Sequence, residues 1–248
     1  QAPGLSGLDD APRDAVLTWP EGNGWLTQRL AAPLGTRLHA GRTVLRIAQV
    51  RQGVEVDAFD HTTRTLERWQ ARECIVALPV LVAARVVHDP PSVLQAASAS
   101  TRYAPWLVAN IHLRSPLHDR PGAPPSWDNV IYGDSNPGGL GYVDARHQAL
   151  DPRPGPTVLT WYHAPGLSPN ARAQLLDAPW THWRDVVLGE LSQAHADLRE
   201  VATQVDITRY GHAMAVPLPG ARSAAPAAAV VLAGGLLGAI AGPNLASA

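Results

Sequence analysis

Apolar residues recur along the chain at two different periods, and the changes of period mark out its elements. Thr18-Trp19-Pro20-Glu21-Gly22-Asn23-Gly24 is a turn cluster, after which Trp25 to Leu34 has the spacing of a short amphipathic helix that closes near Gly35. Arg37 to Val50 reads as extended, with Leu38, Val44, Leu45, Ile47 and Val50 apolar. Gly53-Val54-Glu55-Val56-Asp57 alternates at period two and predicts a strand that pairs with Thr65 to Ala71 as a polar-faced hairpin. The apolar run Cys74-Ile75-Val76-Ala77-Leu78 predicts a buried strand stopped by Pro79. Val80 to Val87 predicts a short helix, punctuated by Pro90-Pro91.

A second region opens near Ser100. Trp106 to Arg114 alternates as a strand, and a Pro/Gly-rich loop follows from Ser115 to Ser126. Asn129 to Gly133 and Leu140 to Asp144 predict a hairpin around Asn136-Pro137-Gly138-Gly139, and Thr157 to His163 another strand. Helices are expected at Asn170 to Leu176 and Trp180 to His195. In the second, Trp180, Trp183, Val187, Leu188 and Leu191 fall on one helical face. Val201 to Arg209 returns as a strand. Several strands with a helical pair between them imply an antiparallel sheet with helices on one face, so the fold class is α+β.

The chain then runs through a Pro- and Ala-rich stretch, 216–229, to Val230-Val231-Leu232-Ala233-Gly234-Gly235 and on to Gly242-Pro243-Asn244-Leu245. That order reads as a buried strand, a glycine-rich turn and a helix start, because proline at the first helical position gives up only an N–H that has no helical partner. A helix N-terminus behind a glycine turn suits an anionic or electron-rich group. A membrane reading competes with it. Gly234, Gly238 and Gly242 make a small-xxx-small series. Only residues 227–242 lie between Pro226 and Pro243, short of the ~20 that a span needs, and no basic flank follows, so membrane association is disfavoured.

Composition removes several classes of chemistry. The net charge is −1 and no basic patch stands out, which argues against a nucleic-acid partner. Every one of the 20 cationic residues is arginine, so lysine Schiff-base chemistry is excluded. The sole cysteine, Cys74, permits no internal disulfide and reads as a small buried hydrophobe. Ten histidines are scattered without zinc-helix spacing. His112, His118 and Asp119 flank a proline-containing turn, so no metal is expected. Neither a G-x-S-x-G elbow nor a G-x-G-x-x-G or Walker loop occurs. Gln1-Ala2-Pro3-Gly4 has neither an initiator methionine nor a signal-type apolar region, so the chain is expected to be the interior of a longer protein, with its compartment left open.

Taken in order, the pieces resemble the flavin-containing amine oxidase family and its phytoene-desaturase-like relatives. The residues that carry the resemblance are Gly22-Asn23-Gly24-Trp25-Leu26, Leu34-Gly35, Val44-Leu45-Arg46-Ile47, Val54-Glu55-Val56, Ile75-Val76-Ala77-Leu78-Pro79 and the closing Leu232-Ala233-Gly234-Gly235 with Gly242-Pro243-Asn244-Leu245. The resemblance covers nearly all of the chain, as the C-terminal portion of such a protein without its N-terminal Rossmann βαβ unit. It implies a loop over 1–15, a returning part of an FAD-binding domain over 16–99, an antiparallel substrate domain over 100–215 and a closing FAD strand and helix start over 216–248.

The resemblance implies FAD as cofactor and hydride removal from a small or apolar organic molecule. Val44 would contact the adenine side, Ala233, Gly234 and Gly235 the ribityl chain, and Pro243, Asn244 and Leu245 the flavin N1/O2 edge, where a helix N-terminus stabilises the charge of the reduced ring. Two departures stand out. Gly235 occupies the place of an acidic residue, and the lysine that holds a water at flavin N5 in many amine oxidases has no counterpart. Asn110 and His112 are the nearest polar substitutes for it. Tyr210 and His212, in Arg209-Tyr210-Gly211-His212, are candidates to orient substrate or accept a proton, though the same residues also read as an ordinary strand end. Trp106, Trp127, Trp161, Trp180 and Trp183 are expected mainly in the core. The rival readings are a degenerate flavoprotein and a non-catalytic α+β binding module, with or without a membrane-associated tail.

Overall fold

The structure is a computed structural model that describes residues 22–118, 122, 126–132, 138–148 and 153–221. The closing stretch with Ala233, Gly234, Gly235, Pro243, Asn244 and Leu245 lies outside the described residues. The fold is α+β. Contacts divide it into two units, one of described residues 22–33 with Pro105–Gly211, the other Leu34–Ala104 with the chain from His212 onward.

In the second unit, β1 (Arg42–Val50), β2 (Gly53–Asp60) and β3 (Thr65–Ala71) form an antiparallel sheet in that order. The hairpin that alternation predicted at 53–57 and 65–71 is present, with Val54 opposite Ala71 and Asp60 opposite Thr65. One face is polar because its residues pair by charge: Arg46 and Arg68 both bind Asp57, and Arg68 also reaches Glu55. Helices α2 (Val80–Val86) and α3 (Ser92–Ala99) pack through Val80, Ala83, Leu94 and Ala97. After α2 the chain touches β1 in a parallel bridge, Ile47 with Val87, and the His88 N–H donates to the Ile47 carbonyl at 2.7 Å. A strand, a helix and a parallel return are the ingredients of an α/β unit.

The reading of Cys74–Leu78 as a buried strand is corrected. The segment has no ladder partner among the described residues, Cys74 is exposed and Ile75 is 81% exposed. An apolar run becomes a buried strand only when strands flank it. Here only Val76 and Leu78 turn inward, against the α2–α3 cluster.

The first unit contains α1 (Asn23–Ala31) and most of a five-stranded sheet of order β5-β6-β7-β4-β8. Its strands are β4 (Thr101–Leu113), β5 (Asp128–Asn129), β6 (Gly139–Asp144), β7 (Thr157–His163) and β8 (Ala202–Pro217). The boundary between units falls inside β4, after Ala104, and inside β8, after Gly211. Pro105, which has no N–H to donate, sits in β4 just ahead of the ladder with β7, which begins at Leu107.

Helices α4 (Ala171–Asp177), α5 (Trp180–Ala194) and α6 (Leu198–Val201) cover one face of the sheet, as the alternating pattern predicted. Alternate residues Leu107, Ala109, Ile111 and Leu113 of β4 and Leu159 and Trp161 of β7 meet Leu175, Trp183, Val187 and Leu191 there. Trp180 departs from the predicted buried stripe. It is 45% exposed, with the Arg184 guanidinium 5.3 Å above its ring, because it opens the helix before the first turn reaches the core.

Gly141 has φ 88°, and a Cβ there would stand 1.9 Å from the Asn129 carbonyl oxygen. Gly141→Ala is therefore expected to part β5 from β6 and to lower the unfolding free energy by at least ~2 kcal/mol. A thermal melt of the variant that matches the parent would contradict this.

Candidate functional site

The helices cover one face of the five-stranded sheet, and the other face carries the candidate polar and aromatic groups. On β4 the residues that alternate with the buried ones are Trp106, Val108, Asn110 and His112, all partly exposed. The β4–β7 register places Tyr162 opposite Val108, Thr160 opposite Asn110 and Val158 opposite His112. On β8, Val205 and Ile207 pack into the helix-side core, so the alternating Asp206, Thr208 and Tyr210 belong to the open face.

Polar groups on this face are paired across strands. Thr160 Oγ1 donates to Asn110 Oδ1 at 2.8 Å, which turns the Asn110 amide N–H groups away from Thr160. His112 Nε2 lies 2.8 Å from Asp206 Oδ2. Gln204 Nε2 donates to both Asp206 oxygens, at 2.8 and 3.0 Å, and these donors hold the Asp206 carboxyl below its ordinary pKa. The Trp106 and Tyr162 rings sit 6.2 Å apart, tilted by 59°. Burial pushes the Tyr162 phenol above its ordinary pKa, and the Asp128 carboxylate adds to it. The phenol therefore remains a neutral donor through the physiological range.

Of the residues singled out from sequence, Asn110 and His112 share this face, two positions apart on β4. Tyr210 and His212 lie further along β8. Tyr210 stands four positions beyond Asp206, the partner of His112, roughly 13 Å at the rise of a strand, so the two pairs do not form one cluster. His212 meets the Tyr103 ring edge-on at 6.2 Å.

The segment Arg209–His212 does not follow the last strand, as expected, but lies within β8, which runs to Pro217. Gly211 makes room for α4, since a Cβ there would come within 2.9 Å of Arg172 Nε. Arg209, two positions back on the same face, donates to the Leu176 and Ala178 carbonyls at the end of α4.

Sequence reasoning did not single out Tyr162, Thr160, Asp128 or Asp206. Thr160 and Tyr162, alternating with Leu159 and Trp161, were the available signal. Trp161 and Trp183 are core, as expected, whereas Trp106 lies on the open face. Among the described residues, no group of three or more His, Cys, Asp or Glu side chains converges on a metal position, and no helix is long and apolar enough to cross a membrane.

Solved flavin-dependent amine oxidases share this arrangement of strands and helices over part of their length. Cyclohexylamine oxidase from Brevibacterium oxydans matches with a TM-score of 0.59 over 82% of this chain and 43% of its own, at 14% identity. Wild-type putrescine oxidase bound to putrescine matches with a TM-score of 0.56 over 75% of this chain and 38% of its own, at 16% identity. An L-amino acid dehydrogenase from Synechocystis sp. is 39% identical over 70 residues, 28% of this chain and 14% of that protein. The chain thus spans less than half the length of each of these relatives. The family of flavin containing amine oxidoreductases matches residues 5–228, and the chain belongs to that family.

Membership implies FAD as the cofactor, and the described residues that could meet its adenine end lie on β1. β1 has β2 on one side, and Leu45 has no partner in that ladder, since the register steps from Val44 to Arg46. On its outer side, the Val87 bridge at Ile47 is the only pairing among the described residues. Adenine carries a ring-nitrogen acceptor beside an amine donor. An open strand edge beside half-buried Val44 offers the complementary backbone N–H and C=O.

Proposed function

We propose that this chain supplies the substrate-facing sheet and the adenine-facing edge of an FAD-dependent oxidoreductase that removes a hydride from a C–N or C–C bond of a small or apolar organic molecule. The open face of the five-stranded sheet carries this reading, because it combines apolar and aromatic cover with a few fixed polar groups, as small-molecule sites do. Trp106, Tyr162, Val108 and Val158 would exclude water from an apolar substrate. The Asn110 amide, held by Thr160, would orient a polar substituent. FAD, when bound, supplies the two-electron acceptor. The edge at Val44 would hold its adenine, and residues 233–245 would complete the site by resemblance to the family. The three-stranded unit thus serves the cofactor and the five-stranded unit the substrate.

The names of the relatives, which act on cyclohexylamine, putrescine and L-amino acids, favour an amine as the group oxidised. Asn110 and His112 then stand in for the missing lysine. Gly235, in place of an acidic residue, favours a second reading in which the fold persists without redox activity.

The test is spectroscopic. The protein purified at its full natural length should carry a yellow chromophore that bleaches when a primary amine is added without oxygen. A folded colourless protein that takes up no FAD would overturn both readings. A yellow protein that no amine bleaches would support the redox-silent one, and Gly235→Glu would then be expected to restore bleaching.

A further inference from the structure

We propose that Asp206 is a positioning residue for His112, and that the pair acts as the proton acceptor of the open face, taking a proton from a substrate ammonium before oxidation. The inference rests on the amine-oxidising reading above. Its geometry is a relay that spans β4 and β8. Gln204 donates both its contacts to Asp206, and Asp206 Oδ2 lies 2.8 Å from His112 Nε2. A second link, from Thr203 Oγ1 to the His112 carbonyl at 3.1 Å, ties the backbone of β4 to β8 at the same level.

The tautomer follows from the chemistry. An ionised carboxylate only accepts hydrogen bonds, so Nε2 carries the proton and donates it to Asp206. The lone pair of the neutral imidazole is then on Nδ1, the atom left to act as a base. A carboxylate on the far nitrogen also stabilises the imidazolium once it forms.

In the proposed step an N–H bond of the substrate ammonium breaks, its electron pair stays on nitrogen, and an Nδ1–H bond forms. The free amine that results is the form able to lose hydride from its α-carbon. The charged groups placed to influence His112 are Asp206 from β8 and Arg114, two residues on along β4, while β7 places Val158 opposite it. The imidazole and carboxylate side chains are 41% and 50% exposed, which leaves the pair open to a ligand.

A surface ion pair with no function would give the same distances, so the test must read proton affinity. In the protein with FAD bound, 15N NMR of the His112 imidazole should show the proton on Nε2, a preference that Asp206→Asn weakens. Asp206→Glu should restore most of it. The pH profile of kcat/KM for an amine should show an acidic limb that moves to lower pH in Asp206→Asn and is absent in His112→Gln.

Bleaching of the flavin by amine in the parent, with an acidic limb that Asp206→Asn leaves unmoved, would overturn this inference alone. Absence of any amine-dependent bleaching would overturn the amine reading and the inference with it. Should Asp206→Asn fold poorly, Asp206→Ser, which removes the carboxylate from His112 Nε2, should move the same limb in the same direction, and no movement there would also overturn the inference.

Discussion

Trp161→Ala is expected to lower the unfolding free energy by roughly 3–5 kcal/mol, the range for large aromatic-to-alanine truncations in a core. Trp161 is fully buried at the centre of β7 on the helix side of the five-stranded sheet. Its ring stacks on His163 at 5.6 Å with 5° between planes, and its Nε1 donates to Glu190 Oε1 of α5 at 3.0 Å. Truncation removes the ring volume and also takes a donor from a carboxylate that is itself only 6% exposed. Trp161→Phe partly separates the two effects, since it keeps an aromatic ring and loses the donor with a smaller share of the ring volume, and it should cost less, about 1–3 kcal/mol. Chemical denaturation measures both. An alanine variant that loses less than the phenylalanine variant would contradict the account.

The same cluster carries a pH dependence. Burial holds the His163 imidazole below its ordinary pKa, with the nearby Glu190 carboxylate pulling the other way. The folded chain therefore refuses a proton that the unfolded chain takes up, and stability falls as pH drops below about 6.5. Because Thr160 and Tyr162 flank Trp161 on the opposite face of the strand, loosening the core here also displaces the open face.

The sequence revealed the elements that bury one face and hid those whose fate depends on neighbours. β7 has the predicted bounds, 157–163, because each alternate residue has a partner on the helices. The hairpin at 53–71 was legible because charge and β-branching agree with its register. Cys74–Leu78 was misread for the opposite reason, since its apolar run says nothing about whether strands flank it. α3 went unseen because Pro90-Pro91 looked like the end of structure, whereas Pro91 caps a new helix whose Val93, Leu94 and Ala97 are buried.

At the candidate site, His112 and Asn110 could be picked out by residue type on a predicted strand. Asp206 could not, because it lies 94 positions from His112 in the chain and only the β4–β8 pairing brings the two together. Tyr210 and His212 were placed beyond a strand that ended at Arg209, whereas β8 continues through them to Pro217. Alternation identifies a face, but not which face the helices take.

Asp144→Ala is expected to cost about 2–3 kcal/mol at neutral pH, the range for losing hydrogen bonds to a buried charged group. Asp144 ends β6 and is 5% exposed. Its Oδ1 accepts from the Arg146 backbone N–H at 3.0 Å and from Thr157 Oγ1 at 2.7 Å, and its Oδ2 accepts from Arg146 Nε at 2.8 Å. One carboxylate thus caps the short helical turn Ala145–Gln148 and ties it to the first residue of β7.

Burial alone would push the Asp144 pKa up, but the Arg146 guanidinium, the Arg146 N–H and the Thr157 hydroxyl together outweigh it and hold the carboxyl below its ordinary value. A depressed folded pKa means that the unfolded chain binds the proton first as pH falls. The stabilisation is therefore complete above about pH 4 and is lost as pH drops through the folded value. Asp144→Asn, which preserves the shape and one acceptor, should show a deficit at pH 7 that shrinks steadily below pH 4. A deficit of the same size at pH 7 and pH 2.5, measured by urea denaturation, would mean that the charge of Asp144 contributes nothing and that shape alone holds β6 against β7.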